Sequence, residues 1–231
     1  MSFKQLSKTD IITLILMGIT AATVAVTGVV FQQTFFRILP LFVSLVIAFL
    51  QSRVSRYAPL LGGINSILYA AVYFHYTLYA SAAYALLVSC PLQIVTYLNW
   101  SKRKYGESVC FKVMTGKQRV ITASAFVGAW ALMYGVMSYA GSAYMLFDNT
   151  LTLFGILITV LTMLAYIEYT WLMIPNCLCS VGMYIAMLGD APEQVPYLVF
   201  SVYSLICNSL AVWQASRLFA EQRASDTAQK V

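Results

Sequence analysis

The chain has 231 residues, 61% of them hydrophobic and only 10% charged, against about 25% charged in soluble globular domains. With a mean hydropathy of +0.78, this excludes a soluble enzyme or a nucleic-acid-binding domain and marks an integral membrane protein. The net charge of +6 therefore reads as membrane topology, because Lys and Arg gather on cytoplasmic loops.

A spanning helix needs roughly 20 mostly apolar residues. Eight runs qualify, at 11–31, 36–52, 57–75, 78–99, 120–140, 147–167, 169–188 and 194–216. The first is too long for a cleaved signal peptide and is expected to remain as a helix. Short links make the second and third, third and fourth, and sixth and seventh runs into tight antiparallel hairpins. The sixth and seventh nearly merge at Glu168. The only long internal loop is "SKRKYGESVCFKVMTGKQR", 101–119.

With eight helices and the N-terminus inside, thirteen of the fourteen Lys and Arg residues fall on one side, and only Arg37 lies near an opposite helix end. Val120 to Ser216 holds neither Lys nor Arg. Both termini are accordingly placed in the cytoplasm, with the lipid bilayer as the surrounding partner.

The third and fourth runs match the seventh and eighth in the order of their polar residues. Asn65 and Asn176 stand near the start of each hairpin, Tyr84 and Tyr197 early in the second helix. Gln93 and Asn208 come late in it, followed by Trp100 and Trp213. The Asn-to-amide separations are 28 and 32 residues, and the longer "GDAPEQVP" turn absorbs the difference. Both hairpins start at the same face, so the pattern describes two parallel halves around an odd helix, 120–140. A substrate path is expected between the halves.

Polar side chains are costly against lipid and turn inward. Asn65, Gln93, Asn176 and Asn208 are thus either interhelical glue or a ligand site, with Tyr69 on the Asn65 face; Tyr73 and Tyr76 read as an interface belt. Amides and aromatics suit a flat heterocycle with a hydroxylated arm, a cationic ring included. Embedded acids and bases are nearly absent, which disfavours proton or sodium coupling. Glu168 reads as a helix boundary, with a role as gate or cation contact as the alternative. Cys177-x-Cys179 has no second ligand pair and His75 is the single histidine, so no metal, cofactor or catalytic constellation is expected.

At "GGINSILYAAVYFHYTLYASAAYALLVSCPLQIVTYLNWSKRK" the chain resembles the Pnu vitamin transporters, whose best-known branch is the PnuC-like nicotinamide riboside carriers. The carrying elements are the "IN" of the third helix, the "LYAS" turn, Gln93 and the end at Trp100. "FDNTLTLFGILITVLTMLAYIE", 147–168, adds a helix that begins near an Asp and ends near a Glu. The resemblance spans about 36 to 217.

It implies an all-α polytopic membrane protein with a seven-helix three-one-three core related to SWEET sugar transporters. The expected division is 1–35 (tail and extra N-terminal helix), 36–100 (first repeat), 101–119 (basic loop), 120–140 (linker helix), 141–217 (second repeat) and 218–231 (tail). It further implies a homotrimer in the bacterial cytoplasmic membrane that mediates facilitated diffusion, drawn on by phosphorylation by a cytoplasmic vitamin kinase. The substrate-binding residues would be Asn65, Tyr69, Tyr84, Gln93, Trp171, Asn176 and Asn208. Nicotinamide riboside members carry two tryptophans three residues apart after the Glu. Here "IEYTWLMIPNCLCS" has only Trp171, with Pro175 expected to perturb the helix. That departure alters the ligand-stacking wall and counts against the nicotinamide riboside branch; nicotinamide riboside is kept first by the family resemblance, with thiamine, riboflavin or a deoxynucleoside as alternatives. A receptor or scaffold without transport is the reading from another class.

The topology predicts that a cysteine placed at Ser225 in a cysteine-reduced background is not labelled by an impermeant reagent applied to intact cells. Efficient external labelling there contradicts the eight-helix count.

Overall fold

The computed structural model describes residues 8–75, 79–140 and 144–228. Tyr76, grouped above with Tyr69 and Tyr73, lies outside them. The described chain is helical apart from one small hairpin. In order come α1 (Lys8–Val30), α2 (Phe35–Ser52), α3 (Tyr57–His75), α4 (Tyr79–Tyr84), a π-helical turn (Ala85–Ser89), α5 (Cys90–Lys102), β1 (Lys104–Tyr105), β2 (Ser108–Val109), α6 (Gly116–Ala140), α7 (Met145–Met163), α8 (Glu168–Met187), a 3-10 turn (Pro192–Gln194) and α9 (Val195–Ala228). Eight helical segments among them are long and apolar enough to cross a bilayer. Helices suit that environment because they satisfy their own backbone hydrogen bonds.

The tight hairpins have a shared cause. α2 ends with Val54 in the left-handed region (φ 53°), and α7 ends with Ala165 there (φ 60°). The Ser55 amide then donates back to the Leu50 carbonyl and Val54 to Gln51, while Tyr166 donates to Leu161 and Ala165 to Thr162. This double closure caps the orphan carbonyls of a helix end. A β-branched residue at positive φ is strained, and Val54 is held there by packing, being 1% exposed.

α2 packs on α3 and α9, α3 on α5, α7 on α5 and α8, and α8 on α9. α1 lies against α2 and α9, and α6 against α7. None of the most apolar stretch of α6 is buried within the chain, so its flanks face outward.

Three sequence expectations change. The fourth helix is interrupted by the π-turn just before Pro91, a residue that cannot donate to the preceding turn. α8, by contrast, continues without a break through Pro175. α9 runs past 216 to Ala228, helped by the Arg217–Glu221 pair at 3.0 Å.

The basic loop, read from the sequence only as a loop, is ordered. β1 and β2 pair antiparallel around Gly106, whose φ of 59° suits glycine. The Gln222 amide of α9 then holds the chain beyond β2: the Phe111 amide donates to its Oε1 (3.0 Å), and its Nε2 donates to the Val109 carbonyl (2.9 Å). Lys112 exchanges backbone bonds with the α7–α8 turn, donating to Ala165 and accepting from Ile167. Val109, Phe111 and Met114 thereby join Trp100, Tyr169 and Ala215 in the main apolar cluster at the basic end.

Gln222→Ala strands a buried amide and a buried carbonyl, each costing about 1–3 kcal/mol. Thermal unfolding in detergent should show a clear loss of stability, with Ser225→Ala near neutral. Equal stability of both variants contradicts the anchoring role.

Candidate functional site

A cavity of about 270 Å³ lies between the α2–α3–α5 helices and the α7–α8–α9 helices, toward the basic end. Its polar wall comes from both sets: Gln51 and Gln93 from one, Asn176, Ser204 and Asn208 from the other. Trp100 and Tyr169 supply aromatic surface. No residue lining it carries a formal charge.

Asn208, 4% exposed, donates through Nδ2 to Cys177 Sγ (3.1 Å) and to Ser204 Oγ (3.2 Å). Its Oδ1 is buried without a partner, as is Oδ1 of Asn176. An unsatisfied acceptor in an apolar setting costs free energy until a donor meets it. Both residues line the cavity, and a ligand bringing N–H or O–H groups would supply the donors these acceptors lack. Gln93 is positioned by Gly62 of α3: a Cβ there would sit 3.1 Å from the Gln93 amide carbon and oxygen. The missing side chain lets α3 and α5 close on the cavity.

The wall is braced where the two sets meet. Trp100 Nε1 donates to the Thr162 carbonyl at 2.7 Å, satisfying the end of α7. Tyr169 is packed between Trp100 and Phe111, with ring centroids 6.0 and 6.4 Å away.

Of the expected site residues, Gln93, Asn176 and Asn208 converge on this cavity. Asn65 does not line it. Its Nδ2 donates to Ser44 Oγ of α2 (2.9 Å), and Ser44 in turn donates to the Pro40 carbonyl (2.8 Å). Tyr69 lies one turn beyond Asn65 on α3. It stacks on Tyr73 at 5.8 Å, and Tyr184 stacks on Tyr197 at 5.9 Å. Tyr73, read from the sequence as belt, thus packs on Tyr69.

Two aromatic expectations are corrected. Trp171 is 58% exposed and Tyr84 55% exposed, both on the outer surface. Trp171 stands five residues before Asn176, off its face, whereas Tyr169 stands seven before, two helical turns away on the same face. That spacing was the available signal for Tyr169. Nor do the repeat tryptophans occupy like places, since Trp100 is 2% and Trp213 56% exposed.

Glu168 also stands off the cavity. Its Oε1 accepts from the Met114 amide (3.0 Å) and from Arg119 Nε and Nη2 (3.1 and 2.8 Å). The carboxylate thus ties the basic loop and the start of α6 to the start of α8.

The family model for nicotinamide mononucleotide transporters matches residues 34–215. A solved structure described as the crystal structure of the vitamin B3 transporter PnuC superposes with a TM-score of 0.73 at 21% identity, over 93% of each chain. At that identity the likeness is one of fold. No curated protein matches the sequence.

The Asn65–Ser44 bond crosses from α3 to α2, so Asn65→Ala should lower ligand-free stability by about 0.5–1.5 kcal/mol. Ile67→Ala, at an outward position 49% exposed, should change it little. Melting of the two purified variants compares them, and unchanged stability for Asn65→Ala contradicts the structural role.

Proposed function

The chain belongs to the nicotinamide mononucleotide transporter family, the Pnu vitamin transporters, and on that premise we propose that it carries a vitamin or nucleoside-like solute through the cavity between its two helix sets. Nicotinamide riboside is the first choice. The carrying observation is the pair of unsatisfied amide oxygens, Asn176 Oδ1 and Asn208 Oδ1, in a wall without charge. Ribose hydroxyls and a carboxamide supply the donors these acceptors lack. A cationic pyridinium suits the Trp100 and Tyr169 faces. The phosphate of a mononucleotide would enter with no Lys or Arg to meet it, and a desolvated unpaired charge is costly. Thiamine, also a cationic heterocycle, is the alternative. The cavity is near the lower end of the roughly 300–1,000 Å³ typical of ligand sites, which disfavours the larger riboflavin.

Alternating access by two parallel halves, α2–α5 and α7–α9 around α6, accounts for the arrangement. The same interval of 111 residues separates Val54 from Ala165, both left-handed, and Asn65 from Asn176. A bond between Ser66 and Ser89 at 2.9 Å has its counterpart in Cys177 and Ser204 at 3.8 Å. Asn65 and Tyr69 then form the layer that a ligand meets when the path opens away from the basic end. Glu168, tied to Arg119, is assigned to gating at the basic end, taken as cytoplasmic together with both termini.

The absence of charge from the cavity wall supports a facilitator without ion coupling and with no catalytic step. Net uptake would be drawn on by phosphorylation inside the cell. The outward flanks of α6 offer a surface for the homotrimer that the family resemblance implies.

In proteoliposomes, uptake of nicotinamide riboside should be saturable and need only its own gradient. Collapse of proton and sodium gradients should leave initial rates unchanged; abolition contradicts the facilitator, and absence of any saturable uptake favours a receptor or scaffold. Asn176→Ala and Asn208→Ala should each weaken binding roughly 3- to 100-fold, from a lost hydrogen bond or a stranded partner. Trp171→Ala should leave it near normal.

A further inference from the structure

A second cavity, about 500 Å³, opens at the basic end between the start of α1, the end of α2, the β1–β2 hairpin and α9. Its wall differs in kind from the first. It carries two guanidiniums, Arg53 and Arg217, and three carboxylates, Asp10, Glu107 and Glu221. Arg53 meets Asp10 at 3.5 Å and Arg217 meets Glu221 at 3.0 Å, both through Nε. Neither of those contacts is made through a terminal guanidinium nitrogen.

An independent observation points to a ligand. Ser108 of β2 lines the cavity and is 4% exposed, yet its hydroxyl has no partner. A buried hydroxyl without a partner is costly, and Ser108 shares this wall with both guanidiniums. Leu210 and Trp213 of α9 form the part of the wall nearer the membrane, and Trp213 is 56% exposed. Tryptophan favours the boundary between acyl chains and headgroups.

We propose that this cavity holds the headgroup of an aminophospholipid, its phosphate between Arg53, Arg217 and Ser108 and its primary ammonium against the carboxylates, Glu107 foremost. Basic pockets between helices at a membrane face are suited to lipid headgroups. The three carboxylates distinguish this one: they repel a purely anionic headgroup and accept hydrogen bonds from a primary ammonium, which a quaternary ammonium cannot donate. Thr9, Asp10 and Thr13 of α1 complete the wall, and they precede the family-matched residues 34–215. The lipid would therefore fasten this first helix to the hairpin and α9. The proposal does not depend on which solute the central cavity takes.

The full-length protein, stripped of lipid in detergent, is to be titrated with phosphatidylethanolamine, phosphatidylcholine and phosphatidylglycerol of matched acyl chains, and bound lipid read by native mass spectrometry. Phosphatidylethanolamine should be retained about tenfold better than the other two. Arg217→Gln and Ser108→Ala should each reduce its retention on the order of tenfold, the effect of losing one hydrogen bond to a charged group. Equal retention of the three lipids, a preference for phosphatidylglycerol, or full retention by Ser108→Ala overturns the proposal. Should Arg217→Gln not remain monodisperse, Ser108→Ala, which removes only an unpartnered hydroxyl, decides alone.

Discussion

A polar group buried at membrane depth must find a partner inside the protein, and the structure is organised around where this holds and where it fails. Helix ends are closed by left-handed turns at Val54 and Ala165 and by Trp100 on the Thr162 carbonyl, and the loop backbone is held by Gln222. In the central cavity the rule fails twice, at Asn176 Oδ1 and Asn208 Oδ1. On the proposed reading these are the acceptors that a solute fills.

The proposed correspondence of the two halves explains why Asn65 and Asn176 differ. Ser44 captures Asn65. Counting the same 111 residues onward from Ser44 leads to Gly155, which has no hydroxyl to give and itself lines the cavity. One half therefore uses its asparagine nitrogen as a brace between α3 and α2, while the acceptor oxygens of both Asn65 and Asn176 stay without a partner. On the proposed reading, helix bracing and ligand binding fall to different members of the set.

The eight spans, the break before Glu168 and three of the four amides now on the cavity were legible in the sequence, because hydropathy and the cost of polar groups in lipid act locally along the chain. The loop at 101–119 was not. Its order rests on Gln222 and on the Ala165–Ile167 turn, partners more than fifty residues away that no local pattern announces. The aromatic wall differs for another reason: the family resemblance points to Trp171, whereas the helical interval to Asn176 selects Tyr169. Ser44 left no signal at all, since a lone serine in an apolar helix more often bonds its own preceding turn.

The central claim is that an uncharged wall with unfilled amide acceptors selects a nucleoside-like vitamin. Calorimetric titration of the purified wild-type protein with nicotinamide riboside and with its 5′-phosphate tests it most directly. The account predicts saturable binding of the riboside and at least about tenfold weaker binding of the phosphate, which would have to leave water without a cation to meet it. Equal or tighter binding of the phosphate would contradict it.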